Sequence, residues 1–158
     1  MPYIHLTIFI AAPRERVFDL SRSIGLHQLS MQDHREEVVE GKKKGLMDMG
    51  ESITWSARHL MKKRTMKVAI TRMQRPDFFV DEQVSGDFKM MKHEHYFKAI
   101  ENGTLMIDQF HYEAPFGFFG KVANSLFLEK YMTRMLEKRN AVIKSIAESN
   151  RWIEYMQA

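Results

Sequence analysis

The sequence contains no cysteine. That absence excludes a disulfide framework, a thiolate metal centre and a cysteine nucleophile, and it fits a reducing compartment. Long apolar runs are missing as well. No stretch approaches the roughly 18 residues a membrane helix needs, and Met1-Pro2-Tyr3-Ile4-His5 carries no basic segment ahead of an apolar core. The expectation is a cytoplasmic protein without stable membrane insertion. No phosphate loop, dinucleotide fingerprint or serine-histidine-aspartate motif is present, so the common enzyme classes those motifs mark find no support.

What remains is a chain of 158 residues, enough for one domain over 1–158 that buries about 70% of its unfolded surface. A formal net charge of +4 is concentrated at Lys42-Lys43-Lys44 and Lys62-Lys63-Arg64, which raises the question of a polyanionic partner. Both clusters fall where strands turn, and no zinc-finger spacing, basic zipper or RNA-binding signature accompanies them, so no nucleic-acid partner is predicted. Thirteen methionines supply flexible thioethers suited to an irregular cavity or to core filling.

Residues 5–10 alternate, with Leu6, Ile8 and Ile10 on one face, and predict a strand. Ala11-Ala12-Pro13 ends it and starts a short helix, with Glu15 at its positive end; a second short helix is expected over Ile24–Met31. From Glu36 to Glu113 the chain reads as about six antiparallel strands divided by glycines, basic turns and Arg75-Pro76-Asp77. Asn102-Gly103 is the strongest turn signal and predicts a type I′ hairpin that pairs Glu101 with Thr104. In that register Phe97 lies opposite Asp108, His95 opposite Phe110 and His93 opposite Tyr112, all facing inward. A long helix of about 45 Å is expected from about Lys121 to Asn150, its stripe running through Val122, Leu126, Met132, Met135, Leu136, Val142, Ile143 and Ile146, with Arg139 and Asn140 interrupting it. The apolar tail from Trp152 to Met156 either lies on the body or builds a homodimer.

The order strand, two short helices, about six strands and one long helix resembles the helix-grip superfamily of START domains, birch-pollen-allergen-type proteins and polyketide cyclases. Local residues resemble it too: Ala12-Pro13-Arg14-Glu15-Arg16-Val17-Phe18, Phe79-Val80-Asp81-Glu82-Gln83 with Gly86 and Phe88, and His93-x-His95-x-Phe97 followed by Gly103-Thr104, Asp108, Pro115 and Gly120. The resemblance covers nearly the whole chain and is nearest to an uncharacterised bacterial ligand-binding branch. It implies an α+β fold in which about seven curved antiparallel strands wrap the C-terminal helix around a cavity. A small hydrophobic or lipid-like ligand is the implied partner, bound without a cofactor or metal. Superfamily members range from lipid carriers to cyclases, so the resemblance implies a cavity and leaves the reaction open.

His93, His95 and Asp108 form the sharpest constellation. A carboxylate diagonal to His95 would orient the imidazole as a general base, or the three would simply satisfy one another in a half-polar wall. Two histidines one residue apart also suit a metal, with Asp81, His59 or Asp108 as third ligand, but that spacing is common. Asp81 faces the cavity if the superfamily pattern holds, and must then pair with a histidine or Arg139. The expected ligand-binding set is Trp55, Asp81, His93, His95, Phe97, Asp108, Phe110, Tyr112, Phe116, Leu126, Met132 and Met135, with Phe116–Gly120 as a gate. No catalytic residue is assigned. Binding, cyclase-like chemistry on a His/Asp pair, and a protein-interaction module remain three readings.

Overall fold

A computed structural model describes residues 3–114 and 121–156, the side chains of 121–125 excepted. Strand β1 spans Tyr3–Ile10, and helices α1 and α2 follow at Arg14–Ser21 and Ile24–Ser30. Pro13 stands just outside α1 with extended backbone, where it needs no donor, and Glu15 occupies the first turn. Ser23 caps α2 by accepting from the Leu26 amide. Six strands then run consecutively: β2 Glu37–Glu40, β3 Ser52–His59, β4 Lys62–Gln74, β5 Phe78–Ser85, β6 Met90–Ile100 and β7 Gly103–Glu113.

All pairings are antiparallel, in the order β1-β7-β6-β5-β4-β3-β2. Irregularities in β4 at Lys67/Val68 and Ile70/Arg72 bend the long strand, as an unpaired extra residue does, and help the sheet curl around its contents. Helix α3, Lys121–Ala147, spans about 40 Å at 1.5 Å per residue. It lies against α1, α2 and β1. The helix stops before the expected Asn150, and a 3₁₀ turn at Asn150–Tyr155 folds the tail back. Trp152, Tyr155 and Met156 pack on the main core, and the Arg16 guanidinium sits 4.2 Å over the Trp152 ring.

The β6–β7 hairpin departs from the expected register by two residues. Ile100 pairs with Gly103, so the turn is Glu101-Asn102 and His95 lies directly opposite Asp108. Only Asn102 in that turn has positive φ, 65°, which excludes a type I′ turn there. Gly103 is needed for space: a Cβ on it would sit 2.3 Å from the Ile10 carbonyl oxygen of the neighbouring strand. Because the slip is an even number, every side chain keeps its predicted face.

The helix stripe also needs correction. The buried positions are Leu128, Met132, Leu136, Arg139, Asn140, Ile143, Ile146 and Ala147, while Leu126 is 54% exposed. Leu128 stands one helical turn before Met132 and shares its face, whereas Leu126 is turned away. Arg139 and Asn140 do not interrupt the stripe; they belong to it.

Candidate functional site

Between the concave sheet face and α3 lies a cavity of about 260 Å³. Its walls are largely apolar, with Trp55, Ile70 and Phe79 from the sheet and Leu128, Met132 and Met135 from the helix. The volume is slightly under the roughly 300 Å³ at which drug-sized pockets begin, which suits a compact molecule. Trp55 is held by a stacked His27 ring 4.5 Å away.

One wall is polar. Register places Asp81 opposite His93 on β5–β6, and His95 opposite Asp108 on β6–β7, so two histidines and two carboxylates alternate across three strands. His93 Nε2 lies 2.8 Å from Asp108 Oδ1, and His95 Nε2 lies 2.8 Å from Asp81 Oδ2. His95 Nδ1 is 3.2 Å from Asp108 Oδ1. From α3, Asn140 Nδ2 donates to Asp108 Oδ2 at 2.7 Å, and Arg139 Nη1 lies 3.6 Å from Asp108 Oδ1 while donating to Asn140 Oδ1 at 2.9 Å.

Each protonation state follows from these neighbours. Burial works against the ionised Asp108, but donors from His93 and His95 and the charge of Arg139 outweigh it and hold its pKa well below the usual carboxylate range. Asp81 is likewise lowered, burial being overcome by His95. Burial also opposes a charged His95, yet its bonds to Asp108 and Asp81 shift the net pKa upward. The two carboxylates thus favour the protonated form of His95, Nε2 facing Asp81 at 2.8 Å and Nδ1 facing Asp108 at 3.2 Å. Arg139 Nη2, 3.5 Å from His95 Nδ1, is then a neighbouring cation whose charge Asp108 answers. His93 goes the other way: burial, then the charge on His95, push its pKa down to about 4. It is neutral at pH 7. Asp108 can only accept, so the proton sits on Nε2 and the lone pair on Nδ1.

The outcome is a set in which two carboxylates, Asp81 and Asp108, face His95 and Arg139, with one spare function. His93 Nδ1 has no partner among the described residues, and His93 lines the cavity. A neutral imidazole oriented by a carboxylate, with its other nitrogen open, accepts a hydrogen bond or a proton.

Of the twelve expected ligand-binding residues, Trp55, Asp81, His93, His95, Phe110, Met132 and Met135 line this cavity. Asp108 is fully buried behind the histidines and does not border it. Phe97 faces inward but fills solid core with Phe18 and Phe79, because α1 covers that end of the sheet. Tyr112 packs on Phe88 and Phe110 away from the cavity. Leu126 is excluded by its exposure, and Phe116 with the expected gate lies outside the described residues. Asp81, His93 and His95 also offer atoms within 4.8 Å of one another, a spacing a metal ion could use, but His95 already bridges two carboxylates beside Arg139. Of the two partners expected for Asp81, a histidine or Arg139, it has the histidine, His95, and Arg139 has Asp108 as its counter-charge.

No protein-family model and no curated protein matches this sequence. Solved structures do. A protein of Thermus thermophilus aligns at TM-score 0.76 with 19% identity, over 97% of this chain and 98% of that one. The chain has the helix-grip fold. A START superfamily protein from Mycobacterium smegmatis aligns at TM-score 0.69 and 10% identity over 92% and 97% of the two chains. Ginseng major latex-like protein 151 from Panax ginseng aligns at TM-score 0.66 and 13% identity over 94% and 98%. These similarities share architecture from end to end and are too low in identity to carry a function.

Proposed function

We propose that this helix-grip protein binds one small hydrophobic molecule carrying a hydrogen-bond donor such as a hydroxyl. The observation that supports this reading is the combination of an apolar cavity with the open Nδ1 of a neutral His93 at its polar wall. Apolar walls drive entry, and the single unfilled acceptor fixes orientation and rewards a donor, since an acceptor left unpaired beside a dry ligand costs free energy. Carrying or sensing such a molecule requires nothing further. The direct test is native mass spectrometry of the purified protein beside its denatured mass. A reproducible added mass of a few hundred daltons or less, lost on denaturation, is the expected result; heating the protein with an organic extractant should release the same species.

A second reading rests on the His93–Asp108 pair. His93 has the free nitrogen, the orienting carboxylate and the neutral state of a general base, whereas His95 has neither nitrogen available. The base for cyclase-like chemistry would therefore be His93, removing a proton adjacent to a carbonyl. If turnover of a bound ketone is found, His93→Ala should abolish it while changing affinity only slightly; parallel loss of both would restrict His93 to recognition.

A further inference from the structure

The β3–β4 turn is built against its own backbone preference. Leu60 and Met61 both have positive φ, 53° and 66°, and His59 pairs with Lys62 across them, so this is the two-residue left-handed hairpin turn that favours Asn-Gly. Large L-residues in that conformation carry strain, and strain kept at an exposed position points to use. Met61 is 96% exposed and Leu60 is 42% exposed. Met61 therefore protrudes into solvent, and Leu60 is exposed in part.

Their surroundings are cationic. Arg58 and Lys63 are cross-strand neighbours, Lys62 follows the turn, and all three are exposed with no ion-pair partner among the described residues. The apolar surface continues onto α3. Leu60 and His59 border the cavity, His59 Nδ1 meets Tyr131 Oη at 2.9 Å, and Phe127, half exposed, stacks on Tyr131. An apolar tip ringed by free lysines beside a cavity end matches a surface that is negative outside and apolar just beneath.

We propose that the β3–β4 turn docks this protein on an anionic lipid bilayer, Leu60 and Met61 entering the interface while Arg58, Lys62 and Lys63 meet the headgroup phosphates. Interfacial apolar side chains combined with a basic rim bind reversibly and weaken with salt. Docking places the end of the cavity lined by Leu60 against the bilayer, giving an apolar ligand a path that avoids water. The docking itself holds whether or not the cavity carries a ligand.

The test is flotation of the full chain with vesicles of pure phosphatidylcholine or of equal parts phosphatidylcholine and phosphatidylglycerol. Binding to the anionic vesicles only, suppressed when the salt is raised from about 0.1 M to about 1 M, is the expected result. Lys62→Glu with Lys63→Glu should lower the partition coefficient by at least about twentyfold. Leu60→Asn with Met61→Gly should lower it about tenfold or more while melting no lower than the parent, because Asn-Gly suits the turn. No flotation of the parent protein overturns the proposal. Loss with the lysine variant but none with the Asn-Gly variant would mark a soluble polyanion as the partner and also overturn it. Ligand retention is measured separately, so failure here leaves the cavity reading standing.

Discussion

His93 Nε2 donates to Asp108 across 2.8 Å, and that bond leaves Nδ1 as the open nitrogen of the polar wall. The same carboxylate faces His95, Asn140 and Arg139. Asp108 is thus the anchor of the site without bordering the cavity, and the chemistry offered to a ligand is decided by a residue it does not touch.

Removing that anchor should be costly. Asp108→Ala leaves Arg139 and His95 with only Asp81 to balance them, and strips Asn140 and His93 of an acceptor. Breaking a buried ionic set in this way destabilises by about 3–5 kcal/mol. Urea unfolding of Asp108→Ala against Asp108→Asn checks it, the amide retaining one acceptor and losing less. A loss under about 1 kcal/mol for the alanine variant would show that the network is dispensable.

Acid should weaken the fold before the site carboxylates Asp81 and Asp108, both lowered, take up protons. His93 has a folded pKa of about 4 against an ordinary value near 6.5, so the unfolded chain takes up the proton first as pH falls. Its stabilising contribution is complete above pH 6.5 and is lost on descent to about pH 4, about 3 kcal/mol at most. His59, lowered to about 4 by burial and then by His34, adds a smaller effect because it is partly solvated. His95 behaves oppositely: its raised pKa gives stability that fades as pH climbs through the folded value. Urea midpoints across this range should fall toward acid, and His93→Gln should flatten the slope.

Gly103→Ala should destabilise by about 2 kcal/mol or more, since the new methyl meets the Ile10 carbonyl at 2.3 Å and backbone must move. Asn102→Gly, at the left-handed position, should be nearly neutral. Thermal melts of the two variants separate a requirement for space from one for turn conformation.

Element order and strand facing are legible in the sequence because alternation survives an even register slip. The register itself is not, since Asn102-Gly103 has turn chemistry while Gly103 serves a close approach to β1. The left-handed turn falls instead on Leu60-Met61, which no turn propensity marks. Arg139 and Asn140 read as breaks because they are polar, although their spacing from Met132, Leu136 and Ile143 already puts them on the buried face. Which histidine stays neutral depends on both their carboxylates at once, and that requires coordinates.

Calorimetric titration with naphthol and methylnaphthalene, equal in size and differing in one hydroxyl donor, tests the binding mode most directly. One site per chain is expected, with naphthol tighter by about fivefold for a single hydrogen bond, and with loss of both on narrowing the cavity by Val68→Phe. Equal or tighter binding of methylnaphthalene, or binding that survives Val68→Phe, would contradict a donor-selective apolar cavity at His93.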